Sequence, residues 1–171
     1  MLWFHKQNFR VSYGFYIPEQ TILTHTNKEL YERWVEQGYL KVCGEETIDY
    51  HMIGNEILEN SKYLNILSIG YDSYKSTELT NYLKAMGVKC LKPYKQTYAA
   101  FTAPVESLEI GLSEDKMKID DNPIIVWMFG NAVIDKDNLE NAKPIKISPS
   151  KKIDGVITIL MSLGQFLTYK R

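Results

Sequence analysis

The stretch from residue 64 to residue 91 constrains the fold more than any other part of the chain. Residues 64–71 form a largely apolar run bounded by polar residues, the pattern of a strand buried on both faces of a sheet. Residues 77–86 read as a helix stopped by Gly87, and residues 88–91 read as a second short strand. A strand, a helix and a strand in that order put two parallel strands side by side through a right-handed crossover. The expected class is therefore α/β.

The flanking segments fit the same class. Residues 2–7 and 9–16 are aromatic and β-branched runs separated by Asn8, an antiparallel hairpin closed before Pro18. Residues 28–37, preceded by Thr26 and Asn27 as caps, predict a helix stopped by Gly38, with a short strand over 39–43. Tyr50, Ile53 and Ile57 have helical spacing within a second helix over 49–60. Residues 105–110 and 123–129 read as helices, with the acidic stretch 114–121 between them as a loop or short strand. The last helix spans about 152 to 166, and Ile153, Val156, Ile157, Leu160 and Met161 form its buried stripe. No repeat or low-complexity linker interrupts the 171 residues, which suit one domain.

Composition removes several function classes. The longest apolar run, residues 156–163, is far short of the roughly 20 residues a membrane span requires, and no leader of signal type follows Met1. A soluble intracellular protein without a membrane partner is expected. Cys43 and Cys90 lie far apart, with no Cys-x-x-Cys and no histidine cluster, which excludes a zinc site and a disulfide framework. Both read as small core residues. His5, His25 and His51 are scattered, and Trp3, Trp34 and Trp127 fit core or helix-packing positions. Twenty basic residues against 21 acidic ones exclude a protein that coats nucleic acid by bulk charge. Local charge is uneven, however. Residues 141–153 contain Lys143, Lys146, Lys151 and Lys152 and no acid, whereas residues 106–121 carry six acids and two lysines.

Two carboxylates stand out by position. Asp72 directly follows the apolar run, at the carboxyl end of an expected interior strand, where open α/β sheets bind ligands. It serves equally well as a cap for the helix that follows. Asp154 falls in the first turn of the last helix, just after the basic run, where the helix dipole alone would favour a carboxylate. Brought together, the two acids would repel unless a cation lay between them, and a divalent metal is the usual solution.

A longer pattern runs through these positions. It comprises Tyr16-Ile17-Pro18-Glu19, Trp34-Val35-Glu36-Gln37-Gly38 and Ile48-Asp49-Tyr50, then Ile69-Gly70-Tyr71-Asp72, then Gln96 and Ala103-Pro104 ahead of Leu108-Glu109. It continues with Asn122-Pro123 before Trp127-Met128 and Asn131, and with Lys143-Pro144-Ile145-Lys146 before Lys152-Ile153-Asp154-Gly155-Val156. In this order the strings resemble the nuclease domain of phage terminase large subunits across almost the whole chain. The resemblance implies an RNase H-like mixed sheet flanked by helices. It also implies that two divalent ions, Mg2+ or Mn2+, held by three acids cleave concatemeric double-stranded DNA during genome packaging in the bacterial cytoplasm. Asp72 matches the second acid and Asp154 the third, and Lys143, Lys146, Lys151 and Lys152 become phosphate contacts. The implied partners are DNA, the terminase ATPase domain, the small terminase subunit and the portal.

The pattern is incomplete at its start. In the family the first acid lies on a central strand ahead of the hairpin, and here only Met1 precedes Leu2. Glu19, after Pro18, cannot replace it. The resemblance thus implies a single nuclease domain over 1–171 that is incomplete at its N-terminus and weak or inactive as a nuclease. No Gly-x-x-x-x-Gly-Lys-Ser/Thr string marks an ATPase motor. A catalytically inactive prophage remnant or interaction module is the competing expectation. Another RNase H-like nuclease, such as a junction resolvase, is a third.

Overall fold

A computed structural model describes residues 1–5 and 8–169 of the chain, with residues 3–5 described as backbone only. Two compact units are present: Met1–Tyr13, Ser68–Asp72 and Lys92–Arg171 form one, and Gly14–Leu67 with Ser73–Leu91 form the other.

In the first unit, β1 (Leu2–His5) and β2 (Asn8–Val11) make the expected antiparallel hairpin, Leu2 opposite Val11 and His5 opposite Asn8. The expected continuation of the first strand through Gln7 lies outside the described residues, as does the side chain of Trp3. Asn8, expected to separate the arms, is instead the first residue of β2. That strand also pairs in parallel with β7 (Met117–Ile119), giving a mixed sheet of order β1-β2-β7. The second arm was expected to reach Tyr16 but ends at Val11, although Ser12, opposite Met1, still donates its N–H to the Met1 carbonyl at 2.9 Å.

β5 (Ile69–Tyr71) is shorter than the apolar run implied, and it is half-buried rather than enclosed on both faces. Asn65 and Ser68 interrupt the run, Leu67 is exposed, and the Leu64 N–H is taken by the Asn60 carbonyl of the preceding helix. β5 pairs with β6 (Leu91–Pro93), which starts later than expected because the Val88 N–H still bonds to the Leu83 carbonyl.

α5 (Tyr98–Ser113) starts seven residues before the expected 105 and runs straight through Pro104. Proline has no N–H, so the carbonyl four residues back loses its helical donor. That carbonyl belongs to Ala100, and the Tyr94 hydroxyl donates to it at 2.5 Å. The lost bond is replaced from outside the helix, so the proline is tolerated. α6 (Pro123–Phe129) follows, capped by the Asn122 side chain on the Ile124 N–H at 2.9 Å. α7 (Asp154–Tyr169) buries Val156, Ile159, Leu160 and Leu163 and packs against α5, α6 and β5. Of the expected stripe, Ile153 and Met161 are also buried and Ile157 is half-buried.

One hairpin was not anticipated. β8 (Ala132–Lys136) and β9 (Ala142–Lys146) pair antiparallel, with Asp135 opposite Lys143. Their turn is built on Asp137, whose carboxylate accepts from the backbone N–H groups of Leu139 and Asn141 and from the Asn141 amide. The Asn141 side chain in particular holds the Asp137 carboxyl below its usual range. Pro144 hid the second strand from a reading based on strand propensity. In a two-stranded sheet a proline costs no ladder bond on its outer side, and here its ring is fully buried.

The second unit holds β3 (Phe15–Ile17), paired in parallel with β4 (Leu40–Val42), and four helices. α1 (Glu19–Thr24), which the sequence did not suggest, starts directly after Pro18. α2 (Lys28–Glu36) ends at Gly38, whose φ of 77° is the left-handed conformation that glycine adopts without strain. α3 (Tyr50–Ser61) is capped by the Asp49 carboxylate, and α4 (Thr77–Ala85) ends before Gly87. The His51 ring stacks on Tyr82 at 4.4 Å, and the Tyr82 hydroxyl donates to Asn55 Oδ1 at 2.5 Å, which locks α3 to α4. Cys43 is buried as expected; Cys90 is only half-buried, so its assignment to the core is corrected.

Glu56 on α3 accepts from Lys41 Nζ at 2.6 Å and from the Tyr16 hydroxyl. Burial alone would raise its carboxyl, but these two donors outweigh it and hold the group below its usual 4.5. A depressed folded value means stability that is present above about pH 4.5 and lost as pH falls through the lower folded value. Glu56→Gln should therefore lower the melting temperature at pH 7 and show a smaller deficit at pH 3. Parallel thermal melts of the two proteins at both pH values check this, and a deficit independent of pH would refute it.

Candidate functional site

Asp72 follows the last residue of β5, and the packing of β5 on α7 decides where its carboxylate lies. Ser68 donates to Gln165 Oε1 at 2.9 Å, fixing the start of the strand against the C-terminal half of α7. From Ser68 to Asp72 an extended chain advances about 13 Å. Eight residues of helix, from Gln165 back to Ile157, span about 12 Å. That matches the shared lining of Asp72 with Asp154 and Ile157 at the first turns of α7. Gln96, a few residues beyond β6, donates its amide to Asp72 Oδ2 at 2.8 Å. The cap position of α4 is Ser76, four residues beyond Asp72.

The segment that leads from β9 into Asp154 is held by buried Asn131. Its carbonyl accepts from the Ile147 N–H at 2.9 Å, and its side-chain amide donates to the Lys152 carbonyl at 3.1 Å. Ile153 is buried, and the Gly155 N–H meets the Met128 sulfur at 3.1 Å. Asp154 is consequently fixed at the helix start while its side chain stays exposed.

Asp72, Gln96, Lys143, Lys146, Asp154 and Ile157 all line one cavity of about 510 Å³. Two acids 82 positions apart in sequence thus share a cavity with two of the four lysines. Lys151 and Lys152 are exposed on the segment just before Asp154 and are not part of the lining. Lys143 is half-buried, with its ammonium 5.6 Å from the centre of the Tyr98 ring. Among the described residues, no group of three or more histidine, cysteine, aspartate or glutamate side chains is placed to hold a metal ion. Two carboxylates fit one hard cation completed by water, and oxygen is the donor type that magnesium and manganese take. No described helix is long and apolar enough to cross a membrane.

The reading from sequence missed Gln96 as a partner of Asp72, Asn131 and Met128 as anchors of the helix start, and Tyr98 beneath Lys143. Gln96, Asn131 and Met128 fell within the quoted strings. Each acts on a partner remote in sequence, which a local pattern does not reveal.

By fold the molecule is a mixed α/β domain. It superposes on a crystal structure of the HK97 bacteriophage large terminase with a TM-score of 0.81, over 92% of this chain and 34% of that one, at 24% identity. Residues 11–170 match the endonuclease domain of the terminase large subunit, and the chain belongs to that family. It is 27% identical to Protein YmfN of Escherichia coli K12 over 95% of its own length, and 25% identical to the large terminase subunit of Enterobacteria phage HK97 over 88%. It spans 37% and 30% of those two proteins, about a third of their length.

Proposed function

We propose that the chain is the nuclease portion of a terminase large subunit that cuts double-stranded DNA during genome packaging, with Asp72 and Asp154 as ligands for magnesium or manganese. The observation that carries this reading is the shared cavity, which gathers both carboxylates with Lys143 and Lys146. A divalent cation held there would activate water and stabilise the leaving oxygen of the phosphodiester. The chain's own side chains do the rest. Gln96 orients the Asp72 carboxylate through its 2.8 Å bond. Lys143 and Lys146 position the DNA backbone over the acids, and Lys151 and Lys152 extend the positive rim toward the helix start. The partners consistent with this role are an ATPase portion, a small terminase subunit and a portal, in the cytoplasm of a bacterial host.

A second reading has an observation of its own. With two carboxylates and no cluster of three ligands among the described residues, the chain also suits a DNA-binding module that does not cut.

DNA binding tests what the two readings share. Replacing Lys143 and Lys146 together by alanine should weaken duplex binding and lower the slope of log affinity against log salt by about 1.8, the value for two phosphate contacts. Fluorescence anisotropy across a salt series measures both. Unchanged affinity and slope would return these lysines to ordinary solvated surface.

A further inference from the structure

Lys143 differs from the other three lysines in how it is held. Lys146, Lys151 and Lys152 are exposed, whereas Lys143 is half-buried, with its ammonium 5.6 Å from the Tyr98 ring centre. Directly across the hairpin from it stands Asp135. Cross-strand neighbours have Cβ atoms about 5 Å apart, well within reach of an ion pair. Yet among the described residues Lys143 joins no ion pair. The Tyr98 hydroxyl donates instead to Asp135 Oδ2 at 2.5 Å. One tyrosine therefore engages both members of the would-be pair, the acid by its hydroxyl and the cation by its ring. The bond to Asp135 is also the main reason the Tyr98 phenol lies above its ordinary 10.0.

We propose that Tyr98 is a positioning residue for Lys143, seating its ammonium on the rim of the Asp72 and Asp154 cavity and keeping it from neutralisation by Asp135. The physical gain is twofold. A lysine resting on a ring has less rotamer freedom to lose when it meets a phosphate. A lysine without a carboxylate partner also has no ion pair to break before it meets a phosphate. The Ala142 N–H donates to Thr102 Oγ1 at 3.0 Å, and the Thr102 hydroxyl donates to the Tyr98 carbonyl at 3.0 Å, so α5 holds ring and strand in register.

The inference rests on the reading that Lys143 contacts DNA, and the experiment separates the two. Duplex affinity of the full chain is measured by anisotropy across a salt series for the parent, Lys143→Ala, Tyr98→Leu, Asp135→Asn and the Tyr98→Leu, Asp135→Asn double variant. Lys143→Ala should weaken binding about three- to tenfold and lower the salt slope by about 1. Tyr98→Leu should reproduce at least half of that loss, because Asp135 then captures the lysine. Asp135→Asn should restore affinity in the Tyr98→Leu background by a larger factor than it changes the parent. Should Tyr98→Leu lose its native circular dichroism, Tyr98→Phe carries the same cycle, since it frees Asp135 while keeping the ring. No effect of Lys143→Ala would overturn the DNA reading itself. A weakened Lys143→Ala beside a Tyr98 variant that binds like the parent would overturn only the positioning role. So would an Asp135→Asn gain of equal size in both backgrounds.

Discussion

The full chain is expected to bind one manganese or magnesium ion weakly, and Asp72→Asn or Asp154→Asn to reduce that affinity by about tenfold or more, the range found when groups that support a metal are lost. The expectation comes from counting donors. Hard divalent cations take six or more oxygens, and magnesium demands near-ideal octahedral geometry. Two carboxylates line the cavity, and no cluster of three ligands is placed among the described residues. In-line hydrolysis by the two-metal route needs one cation at the attacking oxygen and another at the leaving oxygen. The chain should therefore nick plasmid DNA little or not at all with magnesium, and at most slowly with manganese. Isothermal titration with manganese and a plasmid-nicking time course measure the two quantities. Weak binding lost in both variants supports the nuclease reading, whereas binding indifferent to both would leave the DNA-binding module as the better account. Robust magnesium-dependent cleavage lost in Asp72→Asn would show that two carboxylates suffice and that the donor count is the wrong criterion.

Features written in a few adjacent residues were legible. The glycine stops at Gly38 and Gly87, the Asn122-Pro123 helix start and most of the buried stripe of α7 each depend on neighbours within a turn, and each lies where the pattern put it. The special positions of Asp72 and Asp154 were legible for the same reason, one closing an apolar run and the other opening a helix. What the sequence hid depends on partners far along the chain. Pro104 ends a helix by local rules, yet α5 continues because Tyr94 supplies the missing donor. Pro144 argues against a strand until the two-stranded context makes it harmless. The register that carries Asp72 to the start of α7 rests on the Ser68 to Gln165 bond, across 97 residues. The role of Tyr98 needs a hairpin that was not foreseen.

That same distant Tyr94 sets the second large expected effect, a loss of up to about 2 kcal/mol of stability in Gly164→Ala. Tyr94 is held from two sides: its hydroxyl bonds to the Ala100 carbonyl at 2.5 Å, and its ring lies 5.6 Å from fully buried Phe101. Gly164 of α7 packs onto it so closely that an added Cβ would come within 2.2 Å of the hydroxyl oxygen and 2.5 Å of a ring carbon. Something must give. If the ring swings away, the Ala100 carbonyl loses the hydroxyl that stands in for the helical N–H that Pro104 lacks, at about 1 to 3 kcal/mol. If α7 shifts instead, the overpacked contact with α5 costs about 1 to 3 kcal/mol. Against this, alanine is worth about 1 kcal/mol over glycine inside a helix, too little to reverse the sign. At about 2 to 4 °C per kcal/mol for a chain of this size, the melting temperature should fall by up to about 8 °C. The cause is separable from a general intolerance of α7. With Tyr94→Ala in the background the obstructing ring is gone, and Gly164→Ala should become neutral or mildly stabilising through helix propensity alone. Likewise Tyr94→Phe should cost less when Pro104→Ala restores an N–H for the Ala100 carbonyl. Thermal melts of the two cycles decide the matter, and a Gly164→Ala protein that melts with the parent would mean that Tyr94 yields freely and does not hold α5 and α7 together beneath Asp154.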